Sequence, residues 1–272
     1  MQKWNLLVHH DVPGAFHMAL DEVLMNQVRT NASLPVLRFY TWKPACLSLG
    51  YFQKAEQEID MDACRRQNID VVRRATGGRA VLHDEELTYS IIVREDNTLI
   101  PSSITQSYRQ FSEGLVRGFD QLGIPAHLSG EETLRVKDFR SSACFEAPSS
   151  YEVVVHGKKI VGSAQVRKEG VLLQHGSIIN KLDADLLFSL FNVHDEKKLA
   201  VMKRFLLDKA TSVEEVCGKI LSQESLIDAF SSGISDALGL DLIKRKLTLE
   251  EEEMTRHLMK TKYGHPSWTF RL

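Results

Sequence analysis

Three short segments of the chain combine residue types that do chemistry. The first runs Arg73-Arg74-Ala75-Thr76-Gly77-Gly78-Arg79-Ala80-Val81-Leu82-His83-Asp84. Paired glycines let a backbone approach a ligand and point its N–H groups outward, and arginines add positive charge. Such a loop suits an anionic or carbonyl-bearing ligand. It is not a P-loop, because no Lys followed by Ser or Thr comes after the second glycine. The same residues also suit a tight hairpin turn with solvated arginines.

The second segment is Arg140-Ser141-Ser142-Ala143-Cys144-Phe145-Glu146-Ala147-Pro148. A thiolate is the strongest nucleophile among common side chains, and a loop cysteine near positive charge ionises more easily. Most cysteines are inert small hydrophobes. Cys46 in an apolar strand fits that description, as do Cys64 and Cys217 on helices; Cys144 is placed differently. The third segment is Lys159-Ile160-Val161-Gly162-Ser163-Ala164-Gln165. Its small residues keep a strand open to a ligand or another backbone. Strand alternation puts Lys159, Val161 and Ser163 on one face and Ile160 and Gly162 on the other. Taken by itself, Lys159 is an exposed lysine near a turn. His175, followed by Gly176, can face the same pocket as His83, although each alone reads as a hydrogen-bonded structural histidine.

These segments need a scaffold. Pro13-Gly14 precedes a helix whose apolar face is Phe16, Leu20, Leu24 and Val28. Strands are expected over residues 36–40, 46–52 and 69–73, and Leu87, Tyr89, Ile91 and Val93 alternate as in a strand with one face more deeply buried. Ser102 and Ser103 can cap a helix presenting Tyr108, Phe111, Leu115, Phe119 and Leu122. Residues 128–150 are polar and aperiodic and read as a long loop, which in a compact domain is more often functional or mobile than idle. Strands over 151–155, 159–165 and 171–178, with turns at 156–158 and 168–170, form an antiparallel meander. Beyond Asn180 the chain turns mainly helical. Leu226, Phe230, Ile234 and Leu238 line one helix, and Thr248 with Glu251 makes a capping box for the last. Segregated strands and helices give an α+β class, expected here as one domain over 1–272 with a helical portion from about 181.

Composition narrows the function. The 272 residues are 43% hydrophobic and 26% charged with a net charge of −2, an ordinary globular mixture that does not point to nucleic acid. No apolar run nears the ~20 residues that cross a bilayer, and the start lacks a secretory pattern, so a cytoplasmic protein is expected. The four cysteines form no CxxC pair and are expected as free thiols, not a zinc site.

Together, Arg73-Arg74-x-Thr76-Gly77-Gly78-Arg79-x-Val81-x-His83-Asp84, Ser142-x-Cys144-Phe145 and Lys159-Ile160-x-Gly162-Ser163-Ala164-Gln165 resemble the lipoate–protein ligase and octanoyltransferase superfamily. So do Leu37 to Trp42, Ser48 to Tyr51, Thr261 to Tyr263 and Trp268, and the likeness spans nearly the whole chain. It implies the biotin/lipoate protein ligase fold, a mixed and mostly antiparallel sheet flanked by helices. It implies transfer of octanoyl from acyl carrier protein to the lysine of a lipoyl-domain protein such as the glycine cleavage H protein, with no metal or nucleotide consumed. No cofactor is expected, and a monomer is the default for the oligomeric state, which the sequence leaves open.

In that reading Cys144 is the nucleophile and carries the acyl group, and Lys159 lowers its thiol pKa. Gly77, Gly78, Gly162, Ser163 and Ala164 shape the acyl slot, and Arg73, His83 and His175 line the pocket. Two alternatives share the resemblance. An ATP-dependent lipoate ligase is disfavoured by Cys144 and by Arg79, which stands where those ligases carry a third glycine. An octanoyl amidotransferase between lipoyl domains is disfavoured by the His83-Asp84 pair.

Overall fold

The computed structural model describes residues 1–130 and 151–272. Twelve strands are present among them: β1 (Gln2–Val12), β2 (Val36–Trp42), β3 (Cys46–Leu49), β4 (Asp70–Arg73), β5 (Val81–His83), β6 (Glu86–Arg94), β7 (His127–Leu128), β8 (Val153–Val155), β9 (Lys158–Lys159), β10 (Val161–Lys168), β11 (Val171–Ile179) and β12 (Leu240–Lys244). The main sheet has the order β10-β11-β6-β2-β1-β12. Its β10–β11, β11–β6 and β6–β2 pairs are antiparallel, while β1 runs parallel to both β2 and β12. The mixed, helix-flanked α+β architecture is therefore the one expected. β1 and β12 were not foreseen. They pair in parallel across more than two hundred residues, and no local turn signal announces such a contact.

The alternation in β6 sorts its residues between two helical layers. Leu87, Tyr89, Ile91 and Val93 join a core with Phe111, Leu115 and Phe119 of helix Ile104–Gln121 and Phe230 and Ile234 of helix Gln223–Leu238. On the opposite face, Ile92 packs with Leu20, Leu24 and Val28 of helix Gly14–Arg29. Both faces are covered, so the strand is buried on each side, not on one alone. Ser103 is the N-cap of helix Ile104–Gln121, but its hydroxyl makes no capping hydrogen bond. Thr248 and Glu251 form the full capping box of helix Leu249–Leu258.

Two three-stranded sheets complete the frame, β4-β3-β5 and β7-β8-β9. The expected meander is divided between sheets: β8 and β9 belong to the small one, and β10 and β11 to the main one. The chain changes sheet at Ile160, whose N–H donates to Val153 O while its carbonyl accepts from Ile179 N. Ile160 and Val161 both enter the main core, which breaks the alternation that would have put Lys159 and Ser163 on one strand face.

Candidate active site

The Gly-rich loop joins β4 to β5, and a residue that sequence reasoning passed over gives it shape. Arg74 is 4% exposed and lies beneath the loop. Its Nη2 donates to Gly77 O (2.9 Å) and Arg79 O (2.7 Å), its Nε to Thr76 Oγ1 (3.1 Å), and its Nη1 to Ser48 O (2.8 Å). One rigid guanidinium fork thus fixes several loop positions at once. Gly78 adopts φ +92°, and its carbonyl lies so close to Gly50 that a Cβ there would sit 1.9 Å from the oxygen. Glycine at 50 is therefore part of the loop's geometry.

Opposite the loop, the β10–β11 register pairs Gly162 with Ser177, Ser163 with Gly176 and Ala164 with His175. Gly162, Ser163 and Ala164 line a narrow cleft together with His83 and His175. His175 and Gly77 also line an adjoining cavity of about 680 Å³, large enough for a small organic ligand. Met18, Met25, Phe52 and Leu173 give that cavity apolar surface. Gly176 keeps the cleft open, since a Cβ would meet Ser163 Oγ at 2.6 Å and the Tyr89 ring at 2.6 Å.

The two histidines are embedded differently. His83 stacks on Trp42 at 4.0 Å, and its Nε2 lies 2.8 Å from Ser48 Oγ. Burial lowers its pKa from the ordinary histidine value, and the nearby Glu86 carboxylate only partly offsets that. His175 spans from the loop to helix Gly14–Arg29: Nε2 is 2.6 Å from Thr76 Oγ1 and Nδ1 is 3.4 Å from Asp21 Oδ2. Asp21 Oδ1 also accepts from Arg38 and from Ser90 Oγ. Burial opposes ionisation of Asp21, but Arg38 and these hydrogen bonds outweigh it and hold the carboxyl below the ordinary aspartate range. Asp21 was not singled out in the sequence. Among the polar positions of that helix, nothing local marked it.

Arg73 does not line either space. It is fully buried, and its guanidinium donates to Thr269 O (2.7 and 3.0 Å), Gly50 O (2.9 Å) and Tyr51 O (3.1 Å). The structure thus gives Arg73 an architectural contact in place of the expected pocket contact: it ties the chain end to the loop frame. Trp268 Nε1 donates back to Arg73 O (2.9 Å), and Lys262 and Tyr263 both donate to Glu22 Oε2 (2.5 and 2.6 Å). Those C-terminal residues form part of the large cavity's wall. Gly78 likewise supports the loop from within and is not part of the lining.

Lys159 is buried, not exposed. Its Nζ donates to Glu152 Oε1 at 2.6 Å, with the two side chains 7% and 10% exposed. Lys159 lies three residues before Gly162, so their Cα atoms are within about 11 Å. Glu152 is the partner that sequence reasoning missed. Cys144 lies outside the described residues. Of the other cysteines, Cys46 and Cys64 are buried and Cys217 is exposed. Burial pushes the Cys46 thiol well up and the Cys64 thiol to about 11. Among the described residues, no cluster of three or more His, Cys, Asp or Glu is arranged to hold a metal ion, and no helix is long and apolar enough to cross a membrane.

Comparison with known proteins places this site in context. Residues 13–235 match the family model described as lipoyl protein ligase A/B catalytic domain. Over 100% of both chains, the sequence is 44% identical to octanoyltransferase LipM of Brevibacillus brevis and 43% identical to octanoyltransferase LipM of Bacillus subtilis. Among solved structures, the bipartite lipoate protein ligase of Thermoplasma acidophilum, studied with its E2 lipoyl domain, superposes with a TM-score of 0.81 at 27% identity. The match covers 99% of this chain and 97% of that one. A lipoate-protein ligase A bound with ATP gives 0.77 at 26% identity, over 99% of each chain.

Proposed function

Because the chain belongs to the lipoyl protein ligase A/B catalytic-domain family, we propose that it works as an octanoyltransferase in protein lipoylation. The observation that carries this reading is the full-length likeness to octanoyltransferases of two bacteria. The donor is octanoyl-acyl carrier protein, and the acceptor is the lysine of a lipoyl domain, such as that of the glycine cleavage H protein. The compartment is the cytoplasm, where both partners and reduced thiols coexist.

The reaction divides into two steps. The Cys144 thiolate attacks the thioester carbonyl, an S–C bond forms at Cys144, and the carrier's thiol leaves. One thioester replaces another, so this step has little driving force either way. The acceptor amine then attacks the acyl-enzyme, an amide forms, and the cysteine thiol is released, which runs downhill. Splitting the transfer in this way is covalent catalysis with ping-pong kinetics. The cleft beside Gly162, Ser163 and Ala164 and the apolar side of the 680 Å³ cavity supply room for the acyl tail. Lys159 acts on the thiol through its charge. Glu152 holds that ammonium in place at 2.6 Å.

The test is intact-mass measurement after incubation with octanoyl-acyl carrier protein. A covalent octanoyl adduct is expected on the wild type and not on Cys144→Ala; an adduct that persists in the variant rejects the cysteine intermediate. The ligase-like structural neighbours make one rival concrete. A ligase would join free lipoate to the acceptor with ATP, and would do so without Cys144.

A further inference from the structure

The polar groups around His175 form a chain whose hydrogen-bond directions can be worked out from its two ends. At one end, Arg74 Nε can only donate, and it donates to Thr76 Oγ1 at 3.1 Å. The Thr76 hydroxyl then has its own proton to give, and His175 Nε2 lies 2.6 Å away. At the other end, Arg38 Nη1 and Ser90 Oγ both donate to Asp21 Oδ1, which leaves Oδ2 to accept from His175 Nδ1 at 3.4 Å. With the His175 proton on Nδ1 and a lone pair on Nε2, each of these donors meets an acceptor.

A second histidine closes the same network with the opposite tautomer. His17 is fully buried, its Nε2 is 3.0 Å from Thr41 O, and its Nδ1 is 3.3 Å from Arg38 Nη2. A carbonyl can only accept and an arginine can only donate, so His17 carries its proton on Nε2. The Arg38–Asp21 pair therefore sits between two imidazoles, with His17 Nδ1 facing Arg38 and His175 Nδ1 facing Asp21.

The chain ends on the residue before the Gly77-Gly78 turn. Thr76 is fully buried, and its carbonyl accepts from Tyr51 N at 2.9 Å, so its side chain and its backbone are both held. Asp21, His175 and Gly77 all line the 680 Å³ cavity. We propose that Asp21 and His175 are positioning residues that clamp Thr76, and through it the Gly77 turn, with His175 donating from Nδ1 to Asp21 and accepting at Nε2 from Thr76, a direction set by the arginines at the two ends of the network. This assignment rests on the reading of the site as an octanoyl-transfer centre. It deepens that reading by stating what holds the Gly-rich wall in register with β11.

The experiment has a spectroscopic arm and a kinetic arm. In the wild type, 15N-histidine NMR is expected to show His175 protonated at Nδ1 with an unprotonated Nε2, and His17 the reverse. A His175 spectrum with the proton on Nε2 overturns the proposal. For kinetics, Thr76→Val removes the clamp without touching the buried ion pair, and Thr76→Ser keeps the hydroxyl. Transfer from octanoyl-acyl carrier protein to a lipoyl domain is expected to fall about 100-fold in kcat for T76V, as for a group displaced by about 1 Å, with KM changing much less. T76S should recover most of the rate. Equal rates for T76V and wild type, or no recovery in T76S, would reject the clamp. Asp21→Asn adds a third readout, because an amide N–H facing Nδ1 drives His175 to the Nε2–H tautomer. Retention of the Nδ1–H tautomer in D21N excludes Asp21 as its cause. If the wild type shows no octanoyl transfer, the functional reading fails, and the NMR arm still decides the tautomer.

Discussion

Glu152 and Lys159 are joined by a 2.6 Å hydrogen bond with both side chains almost wholly buried. The pair stands beside β8 of the small sheet, where Ser129 N donates to Glu152 O (2.8 Å) and Glu152 N donates to Ser129 Oγ (3.0 Å). Removing one member of the pair takes a charge-assisted hydrogen bond from the other, worth roughly 1.5–3 kcal/mol. Glu152→Ala and Lys159→Ala are each expected to lose stability on that scale in urea denaturation. The double variant is expected to lose less than the sum of the two. Strict additivity would mean that the two charges do not depend on each other. K159A should also slow formation of the acyl-enzyme; an unchanged rate removes Lys159 from the mechanism.

Arg73→Lys separates architecture from substrate contact. A lysine cannot reproduce the fork that reaches Thr269, Gly50 and Tyr51, and each lost charge-assisted bond is worth roughly 1.5–3 kcal/mol. Hydrogen exchange is expected to quicken at residues 266–270 of the variant, with a lower melting temperature. An Arg73 whose replacement raises KM while leaving that exchange untouched would be a substrate ligand after all.

Thiol labelling of the native protein should follow exposure and ionisation. Burial raises the Cys46 and Cys64 thiols, whereas Cys217 is exposed at the end of helix Val213–Cys217. Brief iodoacetamide treatment near neutral pH followed by peptide mass analysis is expected to modify Cys217 and spare Cys46 and Cys64. Rapid labelling of Cys46 in folded protein would contradict its burial beneath Trp42 and helix Gly14–Arg29.

Acid should destabilise the fold in two overlapping ranges. Burial, and then Arg38, lower the His9 pKa from 6.5 to about 3, and His17 is also held well below its ordinary value. A histidine lowered in the folded state stabilises it above 6.5, and that contribution is lost as pH falls toward the folded value. Asp21, Glu22 and Glu251 are lowered against the opposing effect of burial, through Arg38, Lys262 and Arg245 with their hydrogen bonds. Their contributions persist above the ordinary carboxylate values of 3.8 and 4.5 and disappear below them. The melting temperature is expected to decline from about pH 6.5 downward and more steeply below 4.5. His9→Gln should flatten the first part of that decline; a profile identical to wild type would show that His9 is not its source.

Elements whose causes are local can be read from neighbouring residues alone. Leu20, Leu24 and Val28 mark a helix face because apolar residues at that spacing form one stripe. Thr248 and Glu251 mark a helix start because the cap closes within four residues. The Gly-rich loop, the Gly162-Ser163-Ala164 strand and His175 each suit a structural role when taken alone, and only their order along the chain, matched to a known family, joins them as a set.

Pairings between distant segments come from the fold. Nothing near Arg73 distinguishes a ligand-binding arginine from one that ties down residue 269, and nothing near Lys159 reveals that Glu152 covers it. Asp21 reads as one more polar residue on a helix until the sheet brings Arg38, Ser90 and His175 against it. Hydrogen bonds and buried charges act over a few ångströms of space with no regard to chain separation, so the partner of a buried polar group is fixed by the fold.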